Sequence, residues 1–78
     1  MIKNILNLGD AALYCDFGNE VNKETNSGVI KYFKTLKKLN IKDITNITPS
    51  YNKLIISYDL SVIKFQDLKE EIKNLKLI

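Results

Sequence analysis

Lys53-Leu54-Ile55-Ile56-Ser57-Tyr58-Asp59 alternates strictly, with Leu54, Ile56 and Tyr58 on one side and Lys53, Ile55 and Ser57 on the other. A period of two is the pleat of a strand with one buried face, so this segment reads as the clearest strand in the chain. Just upstream, Pro49-Ser50-Tyr51-Asn52 is turn chemistry, and before it lies the β-leaning segment Asp43 to Thr48. A hairpin is implied. Ile44 and Ile47 are three apart, which breaks alternation and predicts a bulge or a late strand start. Downstream, Phe65, Leu68, Ile72 and Leu75 recur at spacings of three and four, with Asp67, Lys69, Glu70, Lys73 and Asn74 outward. That pattern predicts an amphipathic helix from Phe65 to about Leu77.

The first half repeats the order. Ile2 to Leu8 reads as a strand whose apolar face is Ile2, Leu6 and Leu8 with Asn4, and Lys3, Ile5 and Asn7 fall on the other side. Gly9-Asp10 predicts a two-residue hairpin turn, since Gly accepts the positive φ required at its first central position. The return strand, Ala11 to Phe17, puts Ala11, Leu13, Cys15 and Phe17 on one face and Ala12, Tyr14 and Asp16 on the other. Asn22 then reads as a helix N-cap with Glu24 in the first turn. The helix is predicted to reach about Leu39, burying Thr25 or Asn26, Val29, Ile30, Phe33 and Leu36, with Gly28 marking a close approach to the sheet.

The order ββαββα predicts an α+β fold, a two-layer sandwich in which a largely antiparallel four-stranded sheet carries two helices on one face. The opposite sheet face, with Ala12, Tyr14, Asp16, Ile55 and Ser57, is more apolar than a free surface needs, which points to a partner there. At 78 residues the chain has room for one small core and is read as a single α/β domain.

With 45% hydrophobic and 27% charged residues, the composition is that of a globular protein. No stretch approaches the roughly 20 apolar residues of a membrane span, so a cytoplasmic address and no membrane partner are expected. A single Cys agrees with a reducing compartment. The chain has no His, no Trp and no Arg. Without a His base, Cys15 and the hydroxyls cannot form a catalytic triad, and Cys15 reads as a small core residue. One Cys and no His exclude a structural zinc site. Gly9, Gly18 and Gly28 are isolated, so no phosphate loop is present. Asp10 reads as a turn former and Asp59 as a strand terminator, leaving no paired carboxylates for acid–base work. The net charge of +3 and the row Lys31, Lys34 and Lys38 fit a solvated helix face or docking to an acidic partner. Nucleic-acid binding is the weaker reading, since Arg, the usual bidentate reader of guanine and phosphate, is missing.

Leu8-Gly9-Asp10-Ala11-Ala12-Leu13, Asp16-Phe17-Gly18, Asn22-Lys23-Glu24-Thr25-Asn26, Pro49-Ser50-Tyr51-Asn52-Lys53-Leu54 and Ser57-Tyr58-Asp59 form an ordered series. This series resembles the N-terminal domain of the family containing the B-type component of 5-oxoprolinase, the sporulation kinase A inhibitor and the first component of allophanate hydrolase. Leu60 stands where that family usually has Pro. The resemblance implies a larger protein whose C-terminal cyclophilin-like barrel lies outside this chain. It further implies a noncatalytic role in an assembly that uses ATP to convert 5-oxoproline to glutamate with C-type and A-type 5-oxoprolinase components. Inhibition of a histidine kinase is the alternative. No catalytic, cofactor-binding or metal residue carries over, and no cofactor is expected in this chain. Gly9, Asp10, Pro49, Tyr51 and Asp59 match family positions read as structural or interfacial, and Tyr14 and Ile55 join them as candidates from the open sheet face.

Overall fold

The computed structural model describes residues 2–9, 11–19 and 22–75. Six elements follow in the order β1 (Asn4–Asn7), β2 (Ala12–Asp16), α1 (Lys23–Leu39), β3 (Ile44–Pro49), β4 (Lys53–Tyr58) and α2 (Phe65–Lys73). The strands form one antiparallel sheet in the order β1-β2-β4-β3, so the two hairpins lie side by side and β2 and β4 meet at the centre. The α+β sandwich read from the sequence is the fold.

The two central strands supply most of the sheet's contribution to the core. Leu13 and Cys15 of β2 and Leu54, Ile56 and Tyr58 of β4 are buried on the same face, packed with Val29 and Leu36 of α1 and Leu68 and Ile72 of α2. Strict alternation is the cause, because a pleated strand between two neighbours sends every second side chain under the helices. Phe17 continues this face and meets Tyr32 edge-on, with ring centroids 5.5 Å apart.

Three readings of strand and helix need correction. In β1, Ile5 packs against the core, whereas Leu6 is 54% and Leu8 45% exposed. Register decides this. Ile5 lies opposite the buried Cys15 and Leu6 opposite Tyr14, so the side of β1 with more apolar residues is the open one. In α1 the buried positions are Gly28, Val29, Tyr32, Thr35 and Leu36. Two overlapping stripes at spacings of three and four run along this helix, and packing selects the one with Tyr32. Phe33 stays half-buried at the rim with the Lys37 ammonium 5.5 Å from its ring centre, and Ile30 is likewise half-buried. Finally, α2 ends at Lys73, and the turn at Asn74 closes it with a bond from its N–H to the Glu70 carbonyl.

The turns follow their chemistry. Gly9 has φ +70°, as a turn glycine allows, but the last bond of the first hairpin runs from the Leu8 N–H to the Ala12 carbonyl. The loop therefore contains Ala11 as well as Gly9 and Asp10. Asp10 lies outside the described residues, as does the predicted extension of α2 beyond Leu75. In the second hairpin the register shifts between Ile44 and Asn46, so Thr45 is the extra residue and both Ile44 and Ile47 reach the core despite their spacing.

Helix α1 is bounded at both ends. The Asn22 side chain accepts from the Thr25 N–H at 2.8 Å, and Asn40, at φ 49°, donates its N–H to the Leu36 carbonyl. Asn22→Ala is expected to remove about 1 kcal/mol of stability while Asn22→Asp retains most of it. Urea titration reads this as a lower midpoint at unchanged slope; equal midpoints for Ala and Asp would show that the cap contributes nothing.

Candidate functional site

The sheet face opposite the helices is built by register. Asn46 and Thr48 of β3, Ser57, Ile55 and Lys53 of β4, Ala12, Tyr14 and Asp16 of β2, and Leu6 and Asn4 of β1 share it. One transverse row runs Leu6, Tyr14, Ile55, Thr48. Tyr14 and Ile55 are thus cross-strand neighbours, and Leu6, read as core from the sequence, extends their apolar strip to the β1 edge. The Lys53 ammonium lies 5.9 Å from the centre of the Tyr14 ring, and Asp16 and Lys53 sit opposite each other in the next row. The outcome is an apolar band bordered by one pair of opposite charges.

The other candidates divide between the two ends of the sheet. At one end, Pro49 closes β3 and Tyr51 lies in the β3–β4 turn, which is tied to the rest of the molecule by two Asn side chains. Asn52 Nδ2 donates to the Gly18 carbonyl at 2.7 Å, and Asn26 Nδ2 donates to the Tyr51 carbonyl at 3.1 Å. The Phe17 N–H also donates to the Asn52 carbonyl. Gly18, at φ +115°, turns the chain out of β2 with its N–H on the Asp16 carboxylate at 2.9 Å. Three separate pieces of the ordered sequence series therefore converge in one knot. Asn26 and Asn52 are its working members, and their long-range partners left no signal in local spacing.

At the opposite end, Asp59 accepts from both the Ser61 N–H at 3.0 Å and the Ser61 hydroxyl at 2.6 Å. These bonds hold its carboxyl below the usual carboxylate range. Its carbonyl accepts from the Val62 and Ile63 N–H groups, which brings Ile63 into the core ahead of α2. The neighbouring Tyr58 N–H donates to the Ala11 carbonyl, tying this turn to the first hairpin, where Gly9 lies. Among the described residues, each candidate carboxylate and glycine thus has a turn-forming role.

The chemistry these groups support is correspondingly narrow. Cys15 is fully buried on β2, and burial pushes its thiol up to about 12, so it is protonated at neutral pH and out of reach. Among the described residues no group of three His, Cys, Asp or Glu could hold a metal ion. The described residues do not fit the phosphates of ATP either. Gly9 and Gly18 lie at opposite ends of the sheet, the Gly18 N–H is taken by Asp16, and the Thr25 N–H at the start of α1 is taken by Asn22. No described helix is long and apolar enough to cross a membrane.

Comparison with known proteins gives the family. The family model described as the carboxyltransferase domain, subdomain C and D, matches residues 3–77. Among solved structures, the conserved protein PH0987 of Pyrococcus horikoshii superposes with a TM-score of 0.83 at 26% identity, over 90% of this chain. The match covers 32% of the PH0987 chain, so the present sequence spans about a third of that protein. No curated protein matches. A four-stranded α+β fold and a family match over almost the whole chain lead to one conclusion: the chain belongs to the carboxyltransferase domain, subdomain C and D, family, that of the B-type component of 5-oxoprolinase and the first component of allophanate hydrolase.

Proposed function

We propose that this chain acts as the noncatalytic N-terminal domain of a protein like the B-type component of 5-oxoprolinase, within a complex that cleaves 5-oxoproline to glutamate at the expense of ATP. The observation that carries the reading is the family match over residues 3–77 on a domain whose candidate residues have structural roles. In this reading ATP binds elsewhere in the complex, and the domain contributes by protein contact through the band of Leu6, Tyr14 and Ile55. Leu6 is exposed while Tyr14 and Ile55 are half-buried, and an apolar strip left partly open in this way is what a protein interface covers.

Purification of the full chain together with C-type and A-type 5-oxoprolinase components tests it. Co-elution is expected, with loss of co-elution when Tyr14 and Ile55 are both replaced by Lys. Absence of association, together with no 5-oxoproline-dependent ATP hydrolysis when a C-terminal barrel domain is also supplied, overturns the reading.

A further inference from the structure

The two edges of the sheet are unequal. On β3, the Ser50 N–H bonds the Lys53 carbonyl, which puts Thr48 and Asn46 among the residues bonded to β4, so the open edge carries the backbone groups of Ile47 and Pro49. Pro49 has no N–H, and the bulge at Thr45 breaks the repeat beyond Ile47. Bulges and prolines are the devices by which sheets refuse further strands.

From Asn4 to Asn7, β1 contains no Pro and pairs with β2 without a shift of register, and its irregularity, the Lys3 N–H on the carbonyl of Asp16 opposite Asn4, lies ahead of the edge groups of Ile5 and Asn7. The Leu8 N–H bonds the Ala12 carbonyl, which puts Leu6–Tyr14 and Asn4–Asp16 in the same class of bonded pairs. The N–H and C=O groups of Ile5 and Asn7 therefore point away from β2, one repeat apart along the edge. No described strand pairs with them. The segment Asn4–Asn7 also carries no charge. The two faces beside this edge differ in character. Leu6, 54% exposed, begins the apolar band on the open face. On the helix side, a hollow of about 200 Å³ is lined by Ile2, Lys3, Asn4, Ile5, Tyr32 and Lys73, with two ammonium groups and no carboxylate.

We propose that β1 is an acceptor edge for an extended segment of a partner protein that alternates apolar and acidic residues. Such a segment adds a fifth strand. Its backbone takes the bonds offered by Ile5 and Asn7, its apolar side chains continue the Leu6 band, and its carboxylates turn toward Lys3 and Lys73. Charge complementarity selects this occupant over a second copy, because pairing two β1 edges would bring Lys3 and Lys73 of both chains together on one side. The inference rests on the edge geometry and is independent of the 5-oxoprolinase reading, because its test uses no other component of that complex.

The probe is a peptide of about ten alternating Val and Glu residues, added to the full chain. Expected are saturable binding, slowed hydrogen exchange at the Ile5 and Asn7 amides, and no binding of the matching Val–Lys peptide. Asn7 is exposed and its N–H has no partner in β2, so Asn7→Pro removes one edge donor without breaking the hairpin. It should weaken binding by about tenfold, the effect of one strand hydrogen bond. The exposed Lys73→Glu variant provides a second arm that leaves the backbone of the edge intact, at a cost to the last turn of α2 checked by its urea midpoint, and should weaken the acidic peptide while admitting the basic one. Failure of the Val–Glu peptide to bind overturns the proposal, as does binding that leaves the Ile5 and Asn7 amides unchanged. A dimer of the chain in which those amides are already protected overturns it in favour of self-pairing.

Discussion

Leu13→Ala is expected to lower the thermal midpoint by roughly 8–40 °C, because a core Leu truncation costs about 2–5 kcal/mol and a domain of this size shifts by about 4–8 °C per kcal/mol. Leu13 has no exposed surface and sits on β2, opposite Ile56 across the central seam of the sheet. Its side chain cannot be replaced by movement of one neighbour, since strands flank it on both sides. The total stability of about 80 residues is only of the order of 4–12 kcal/mol, so the loss is a large share of it. Leu6→Ala, on the open face, is the matched control and should change stability by no more than about 0.5 kcal/mol. Calorimetry on the two variants decides the matter. Equal midpoints would mean that the core is not where the burial pattern puts it.

The second large effect is expected in alkaline solution. In the folded chain the Cys15 thiol is pushed up to about 12 by burial. In the unfolded chain it ionises near its ordinary value of about 8.5. A group that holds its proton more tightly when folded stabilises the fold fully below the unfolded value, and that contribution is lost as pH rises from there toward about 12. Tyr32 acts in the same direction, its hydroxyl raised first by burial and then by the neighbouring Cys15. The combined loss is of the order of a few kcal/mol, enough to unfold a small domain within the alkaline range. Urea midpoints measured from neutral to strongly alkaline pH should fall steeply, and Cys15→Ala should flatten the curve. At neutral pH the native thiol should resist alkylation until urea unfolds the chain. A flat profile, or native labelling as fast as that of the unfolded chain, contradicts the prediction.

The sheet was most legible where one face alone is apolar. In β4 the alternation of Leu54, Ile56 and Tyr58 defines the strand, its face and its central place. The spacing of Ile44 and Ile47 likewise announces the irregularity at Thr45. Legibility failed in β1 because both sheet faces there carry apolar residues, so counting them selects the wrong side and only pairing with Cys15 settles it. It failed in α1 for a related reason. Phe33 and Ile30 extend an apolar stripe beside the true one, and the contact of Tyr32 with Phe17 comes from residues far apart in the chain. Tyr14 and Ile55 were legible as surface candidates because their alternation partners are plainly buried. The knot around Gly18 was not, since the bonds from Asn26 and Asn52 depend on the folded positions of three loops.

The central seam also governs how the molecule assembles. Each hairpin joins neighbours in sequence, but β2 and β4 bring together residues roughly forty positions apart, such as Leu13 and Ile56. Neither ββα half can cover its own buried face, because the side chains of Leu13 and Cys15 share one core with those of Leu54 and Ile56. Local hairpins and helices can therefore flicker into existence quickly, while closure of the seam carries the entropic cost of the long intervening loop. Folding is accordingly expected to be a single cooperative event whose rate is set by the docking of the two halves, neither of which holds a complete core of its own.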